Sequence, residues 1–170
     1  MNLLSPSPLF FEAADLVLSF EGGYSNDHDD KGGITKYGIS QRSYPNVDIP
    51  NLTKSDALCL YFKDYWNPLQ ADRLPKVLAI AVFDGAVNHG VKQSAKILQQ
   101  VLSVTADGII GPVTLSAAFA RNSRSILIDY LTARAELYHY LSIADSDQAK
   151  FYKGWMTRLF KLQSSLRTVL

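Results

Sequence analysis

A glycine-rich stretch, residues 21–39, holds the side chains of this chain that are best suited to acid–base chemistry. An apolar run with helical spacing, residues 9–20, precedes it, and Gly22 and Gly23 are suited to ending that helix. Glu21 is therefore predicted to lie at a helix C-terminus, where the negative end of the helix dipole disfavours its ionised form. A glutamate that stays partly protonated near neutral pH has the property a general acid needs.

Three further carboxylates and a threonine follow within the same stretch. Residues 27–33 are rich in turn-forming types, and residues 34–39 are predicted to return as a short strand. A small hairpin or three-stranded sheet of this kind would hold the acidic tip and Thr35 near Glu21. One acid on a helix end, facing a second carboxylate across a gap, is the arrangement that glycoside hydrolysis uses. The candidates for the second carboxylate are Asp27, Asp29 and Asp30, and each has the alternative role of bonding its own turn backbone.

A series of motifs, in order along nearly the whole chain, resembles glycoside hydrolase family 108. That family contains N-acetylmuramidases of phage lysis cassettes and bacterial secretion systems. The family usually has prolines where this chain has His28 and Lys31. The matching motifs are Glu21-Gly22-Gly23-Tyr24, Asn26-Asp27, Asp30-Lys31-Gly32-Gly33-Ile34-Thr35-Lys36-Tyr37-Gly38-Ile39, Tyr65-Trp66, Ala71-Asp72-Arg73-Leu74-Pro75, Phe83-Asp84-Gly85-Ala86-Val87-Asn88-His89-Gly90, Leu98-Gln99, Asp107-Gly108-Ile109-Ile110-Gly111-Pro112 and Gly154-Trp155-Met156-Thr157-Arg158.

The resemblance implies a mainly α, lysozyme-like α+β fold, a helical bundle with a small β-hairpin or sheet beside the active site. It implies a lysozyme-type peptidoglycan hydrolase that cuts the β-1,4 bond between N-acetylmuramic acid and N-acetylglucosamine. Glu21 would be the general acid, Asp30 would activate water and Thr35 would help to hold that water. Phage-type lysozymes have a similar Glu–Asp–Thr spacing, although here four residues, one fewer, separate Asp30 from Thr35.

Five side chains are candidates for substrate binding. Tyr24 and Tyr37 belong to the catalytic motif, while Asn88 and His89 lie on the last turns of a helix that is apolar all round. This is predicted to be the central buried helix, which Pro75 starts and Gly90 stops. Asn88 shares a face with Asp84, and the two either line the cleft or are satisfied buried groups. His89 either titrates near neutrality or is structural. Trp66 either stacks on a sugar ring or packs in the core at a helix end.

The domain organisation is predicted as a catalytic part, residues 1–95, and a helical peptidoglycan-binding-like lobe, residues 96–170, packed on it. The turn at Asp107-Gly108, before a helix that Pro112 opens, resembles the turn of small peptidoglycan-binding modules, and it is also an ordinary tight turn. Residues 121–170 carry eight basic and four acidic side chains, which suits an anionic polymer or merely a solvated surface.

Composition limits the partners and the compartment. Cys59 is the single cysteine and is predicted to be an inert core thiol. Residues 1–20 lack the basic start of a secretory signal, and no stretch is long and apolar enough to span a bilayer. We therefore expect synthesis in the cytoplasm without a classical signal peptide. The enzyme would act in the periplasm or on the cell wall after release or export. We expect a monomer that contacts glycan strands, without nucleic acid or stable membrane insertion.

No cofactor or metal is predicted. The acidic tip does not match a calcium loop, because Lys31 falls at the fifth position and Gly38 stands where the bidentate glutamate belongs. Two other functions compete with hydrolysis. A lytic transglycosylase needs one glutamate only, so the carboxylates after Glu21 argue against it, and mass spectra showing anhydro sugar ends would reveal it. A non-catalytic wall-binding protein would have no need of Glu21.

Overall fold

The computed structural model describes residues 5–20 and 33–167, which form eight α-helices and one small antiparallel sheet. The predicted mainly α fold with a small hairpin is therefore confirmed. A five-residue π-helical segment, Phe62–Trp66, follows α2, and one 3₁₀ turn, Ala71–Arg73, precedes α3. The elements are α1 (Pro8–Phe20), β1 (Thr35–Lys36), β2 (Ile39–Ser40), α2 (Lys54–Tyr61), α3 (Lys76–His89), α4 (Val91–Val101), α5 (Pro112–Ala120), α6 (Ser123–Ala144), α7 (Ser146–Ala149) and α8 (Tyr152–Leu166).

The chain divides into two compact units, one that ends at Asp64 and one that begins at Tyr65. In the first unit, Ser7 caps the start of α1, because its hydroxyl accepts a hydrogen bond from the Phe10 backbone N–H at 3.1 Å. Its buried residues, Phe10, Ala13, Ala14 and Val17, lie three or four positions apart and so share one face.

Helix α2 starts with a capping box, which the Thr-x-x-Asp spacing of Thr53 and Asp56 predicts. The Thr53 hydroxyl accepts from the Asp56 backbone N–H, and the Asp56 carboxylate accepts from the Thr53 backbone N–H. The prediction for Cys59 in this helix is wrong, because its side chain is exposed. An apolar run with helical spacing does not reveal where one face ends, and Cys59 falls just outside the buried face that Ala57 and Tyr61 define.

The β element is a hairpin within the run that was predicted as one strand. Thr35 pairs with Ser40 and Lys36 pairs with Ile39, so the chain reverses between them. Tyr37 and Gly38 both have left-handed backbones, with φ of 53° and 74°. Two successive residues with positive φ form the turn that matches the twist of a tight hairpin. A tyrosine in that conformation is uncommon, which is why the sequence pattern indicated a continuous strand.

In the second unit, α3 is the central helix. Ten consecutive residues of α3, Val77 to Ala86, are buried, as expected for a helix that is apolar all round. It packs against α4 and α6, and α6 packs in turn on α8. Gly85 allows the close approach, since a Cβ there would overlap the Tyr130 hydroxyl. Gly90 ends α3 with φ of 89°, as predicted.

The predicted turn at Asp107-Gly108 is fixed by the buried side chain of Gln99 on α4. The Gln99 amide donates to the Asp107 carboxylate at 2.7 Å and to the Ile109 carbonyl at 3.0 Å, and its oxygen accepts from the Gly108 N–H at 2.8 Å. The Ile109 backbone N–H also donates to the Asp107 carboxylate, at 2.8 Å, and this bond, followed by the bond from the Gln99 amide, lowers the pKa of Asp107. One buried amide thus fixes residues 107–109 of the loop that leads to α5.

Candidate active site

The residues predicted to carry the chemistry fall largely in a part of the chain that the structure does not describe. Glu21, Asp30 and the alternative carboxylates Asp27 and Asp29 lie between the last residue of α1 and the hairpin, outside the described residues, as does Tyr24. Their predicted roles remain predictions. Five predicted site residues lie within the described ranges: Thr35, Tyr37, Trp66, Asn88 and His89.

Thr35 is the first residue of β1 and is half-buried. Its hydroxyl donates to the Gly33 carbonyl at 3.3 Å, which leaves the oxygen lone pairs as acceptors. A hydroxyl that donates to its own backbone can accept a hydrogen bond from a neighbouring water. The local geometry therefore suits the water-holding role that the resemblance implies.

Tyr37 is held by its backbone as much as by its ring. Its carbonyl accepts a hydrogen bond from the buried Tyr61 hydroxyl at 2.8 Å, which joins the hairpin turn to α2. The Lys36 ammonium lies 5.7 Å from the centre of the Tyr37 ring and donates to the Pro50 carbonyl. No local pattern links Tyr61 to a turn 24 residues earlier, so sequence reasoning missed this anchor of the turn.

A buried ion cluster in the second unit ties three helices together. Asp84 on α3 contacts Arg134 on α6 and Arg158 on α8, each at 2.8 Å, and both Asp84 and Arg134 are fully buried. Burial alone lowers the pKa of Arg134, but the Asp84 carboxylate and neighbouring tyrosine hydroxyls outweigh it and raise the pKa. Asp84 is thus the satisfied buried group of the two predicted alternatives, because both of its oxygens are paired.

The cluster extends to Asn88 and His89 through the hydroxyl of Tyr138. That hydroxyl donates to the Asn88 side-chain oxygen at 2.7 Å and accepts from Arg134 at 2.8 Å. The His89 Nδ1 atom lies 3.4 Å from the same hydroxyl. Tyr138 therefore brings the two predicted residues together at the end of α3 and fixes the orientation of the half-buried Asn88 amide.

His89 does not titrate near neutrality. Burial, followed by the positive charges of Arg134 and Arg158, lowers its pKa to about 3. Its Nε2 atom is buried and has no hydrogen-bond partner in the described residues. The alternative of a structural, neutral histidine is the one the structure supports, and Asn88 and His89 offer hydrogen-bonding groups and no proton transfer at neutral pH.

The prediction that Trp66 stacks on a sugar is wrong, because the side chain is fully buried. Its indole N–H donates to the Asp72 carboxylate at 2.9 Å, and its ring meets Phe83 edge-on with centroids 5.3 Å apart. A tryptophan with no exposed face cannot receive a ligand. Trp66 belongs to the core of the second unit, the other alternative that the sequence allowed.

Sequence reasoning missed the partners that surround these residues. Arg134 and Tyr138 are four apart on α6 and share a face, and Arg158 closes the last of the resembling motifs. That spacing and that motif were visible signals. The pairing of Arg134 and Arg158 with Asp84, which lies 50 and 74 residues earlier, left no such signal, because no local pattern specifies long-range partners.

The described residues hold neither a cluster of metal ligands nor a membrane-spanning helix. Within residues 5–20 and 33–167, no three His, Cys, Asp or Glu side chains converge as metal ligands. In those ranges, no helix combines the length and the apolar character needed to cross a membrane.

Known proteins resemble both parts of the sequence. A family model described as Glycosyl hydrolase 108 matches residues 14–90, and one described as Predicted Peptidoglycan domain matches residues 93–160. The solved structure of SagA from Brucella abortus is 30% identical, with a TM-score of 0.84, and the match covers 94% of each chain. None of the curated proteins compared with the chain matches it.

Proposed function

Because this chain belongs to glycosyl hydrolase family 108 and carries a peptidoglycan domain, we propose that it is an endo-N-acetylmuramidase. It cleaves the β-1,4 bond between N-acetylmuramic acid and N-acetylglucosamine in peptidoglycan glycan strands. One observation carries the proposal: the hydrolase match, residues 14–90, spans Glu21, Asp30 and Thr35 in one short stretch. Glu21 and Asp30 would supply the acid and the second carboxylate that hydrolysis of a glycoside uses, with the Thr35 hydroxyl near them in sequence.

In the proposed mechanism, Glu21 protonates the leaving glycosidic oxygen while Asp30 takes a proton from the attacking water. Thr35 accepts a hydrogen bond from that water, as the geometry of its hydroxyl permits. Attack from the face opposite the leaving group inverts the anomeric carbon. Inverting enzymes separate their two carboxyl groups by about 6.5–9.5 Å to admit the water.

The lobe, residues 96–170, is proposed to hold the wall while the catalytic part, residues 1–95, cuts it. The peptidoglycan-domain match, residues 93–160, and the basic excess of the C-terminal third support this division. The proposal extends to a bacteriolytic, endolysin-type or secretion-associated role, in which the monomeric enzyme is made in the cytoplasm and meets the wall after release or export.

The decisive experiment replaces the proposed acid. Glu21→Gln keeps the shape of the side chain but cannot donate the proton, so wall lysis should fall by about two to four orders of magnitude. Turbidity loss of purified peptidoglycan measures activity, and circular dichroism confirms that the variant is folded. Near-normal activity in folded Glu21→Gln protein would sink the proposal. Mass spectra of the wild-type products should show reducing muramic-acid ends, whereas anhydro ends would indicate a lytic transglycosylase.

A further inference from the structure

A groove of about 340 Å³ lies between α6 and α8 in the second unit. Leu127 and Leu131 form its buried floor, and Ile128 and Phe160 form exposed apolar sides. Arg124 and Arg167 also line it, and no acidic side chain is among its described lining residues. The groove therefore combines apolar surface with concentrated positive charge.

The two charges lie at one end of the groove. Arg124 is in the first turn of α6 and Arg167 follows the last residue of α8, so the two helices run antiparallel past each other. Leu131 and Phe160 mark the other end. Seven residues separate the two ends on each helix, a length of about 10 Å at 1.5 Å per residue.

Both guanidinium groups at that end are available for a ligand. Among the described residues, neither the Arg124 nor the Arg167 side chain makes a hydrogen bond or ion pair, and both are exposed. Arg121 differs, because it is bound to Asp129 and to the Val101 carbonyl within the lobe. The side chains of Gln163 and Ser164 add amide and hydroxyl groups to the same wall of the groove.

We propose that this groove binds the stem peptide of peptidoglycan, with a free carboxylate at the two arginines and small aliphatic side chains along the apolar floor. Guanidinium groups bind carboxylates through paired, charge-assisted hydrogen bonds. An extended peptide advances about 3.3 Å per residue, so the groove accommodates about three residues. Peptidoglycan stem peptides supply carboxylates and alanine methyl groups at that scale. The inference rests on the proposed function and names the part of the wall that the lobe recognises.

Two double variants test the groove. Arg124→Ala/Arg167→Ala removes the two free charges, and Lys150→Ala/Lys153→Ala removes two exposed charges of the same unit that do not line the groove. Matched net charge separates a specific site from general attraction to an anionic wall. Neither arginine side chain has a partner among the described residues, and the Lys150 ammonium has only an exposed one there, the Phe151 ring 5.0 Å away. Both variants should therefore melt close to the wild type, which thermal circular dichroism would verify.

Hydrolysis is then measured on intact peptidoglycan and on glycan strands from which an amidase has removed the peptides. The groove variant should show a KM raised about tenfold on intact wall, the change that 1.4 kcal/mol corresponds to at 25 °C. On peptide-free strands it should equal the wild type, and the lysine variant should be unchanged on both. The inference is overturned if the groove variant has the same KM as the lysine variant on intact wall. It is also overturned if the KM of the groove variant rises equally on both substrates.

A direct binding measurement separates failure of this inference from failure of the proposed function. Isothermal titration with the tetrapeptide L-alanyl-γ-D-glutamyl-meso-diaminopimelyl-D-alanine should show binding by the wild type and the lysine variant, and about tenfold weaker binding by the groove variant. If the wild type cuts neither substrate but this pattern holds, the hydrolase proposal fails and the groove stands. Two results without peptide binding would overturn the groove as a peptide site. One is binding to phosphatidylglycerol vesicles, and the other is self-association that the groove variant loses.

Discussion

His89 is neutral because folding removes it from water beside two arginines. Its pKa falls from 6.5 to about 3, so between those values the unfolded chain binds a proton that the folded chain does not. The free energy of unfolding therefore rises with pH in this window. The stabilising contribution is fully present above pH 6.5 and is lost as the pH falls toward 3.

This pH dependence should be absent in His89→Gln, because glutamine is neutral at every pH. On going from pH 7 to pH 4, the wild type should lose roughly 3 kcal/mol more of its unfolding free energy than the variant does. Urea denaturation at several pH values measures the difference. Parallel pH curves for the two proteins would contradict the assignment of a buried, neutral His89.

The proposed base is tested by exchanging one carboxylate at a time. Asp30→Asn should lower kcat by about two to four orders of magnitude with KM little changed, because the group acts only on the attacking water. Asp27→Asn and Asp29→Asn should do less. Product NMR recorded before mutarotation should show the α anomer from the β-linked glycan, and a β anomer would mean retention. Equal losses from all three changes would point to a tip that acts by its shape.

Single residues were predicted well where local chemistry decides their environment. Thr53 and Asp56 form the expected capping box because the bonding partners are three residues apart. Cys59 was misplaced, and Trp66 was left open between a sugar-binding and a core position, because burial depends on elements that arrive from elsewhere in the sequence. The bonding partners of Asn88 and the neutral state of His89 were unpredictable for the same reason: Tyr138 and Arg134 lie at least 45 residues further along the chain.

At the scale of elements, helix boundaries were the most predictable feature. Pro75 and Gly90 bound α3 as predicted, and Asn122, a residue type favoured at helix starts, caps α6, since caps are local. The hairpin was less predictable because its turn uses Tyr37 in a left-handed conformation. The π-helical segment Phe62–Trp66 carries no local signal that distinguishes it from the end of α2.

The loop between α4 and α5 offers a sharp test of one element. Gln99→Leu removes the buried amide that joins Asp107, Gly108 and Ile109. The free energy of unfolding should therefore fall by about 1–3 kcal/mol. Gln100→Leu is the matched control, because Gln100 is the exposed neighbour on the same helix. Thermal denaturation of both variants measures the difference. If the two variants melt together, Gln99 is not the residue that fixes the loop.

At the scale of the whole molecule, the hydrolase match and the compact units divide the chain differently. The match runs to residue 90 and so includes α3, but α3 packs against α4 and α6 as the centre of the second unit. The ten consecutive buried residues of α3 require that cover. The sequence identified α3 as a central buried helix, but it contained no signal for which elements would surround it.

Fragments should reveal this dependence on α3. A fragment of residues 65–170 should fold cooperatively, whereas residues 96–170 should not, because the second lacks the helix against which α4 and α6 pack. Thermal circular dichroism and amide NMR dispersion measure the difference. Residues 96–170 also lack the first half of α4, so a third fragment, residues 91–170, is the matched comparison. It keeps all of α4 and the whole peptidoglycan-domain match, residues 93–160, and lacks α3. Cooperative folding of residues 96–170 alone would show that the lobe is independent of it.

The placement of Asp84 also has a consequence for synthesis on the ribosome. Its two cationic partners follow 50 and 74 residues later, so the nascent chain carries this carboxylate long before either guanidinium has emerged. Closing such long loops is slow compared with forming the helices themselves. Completion of the second unit must therefore wait for Arg158, and translation order makes the docking of α8 a late event in the maturation of the enzyme.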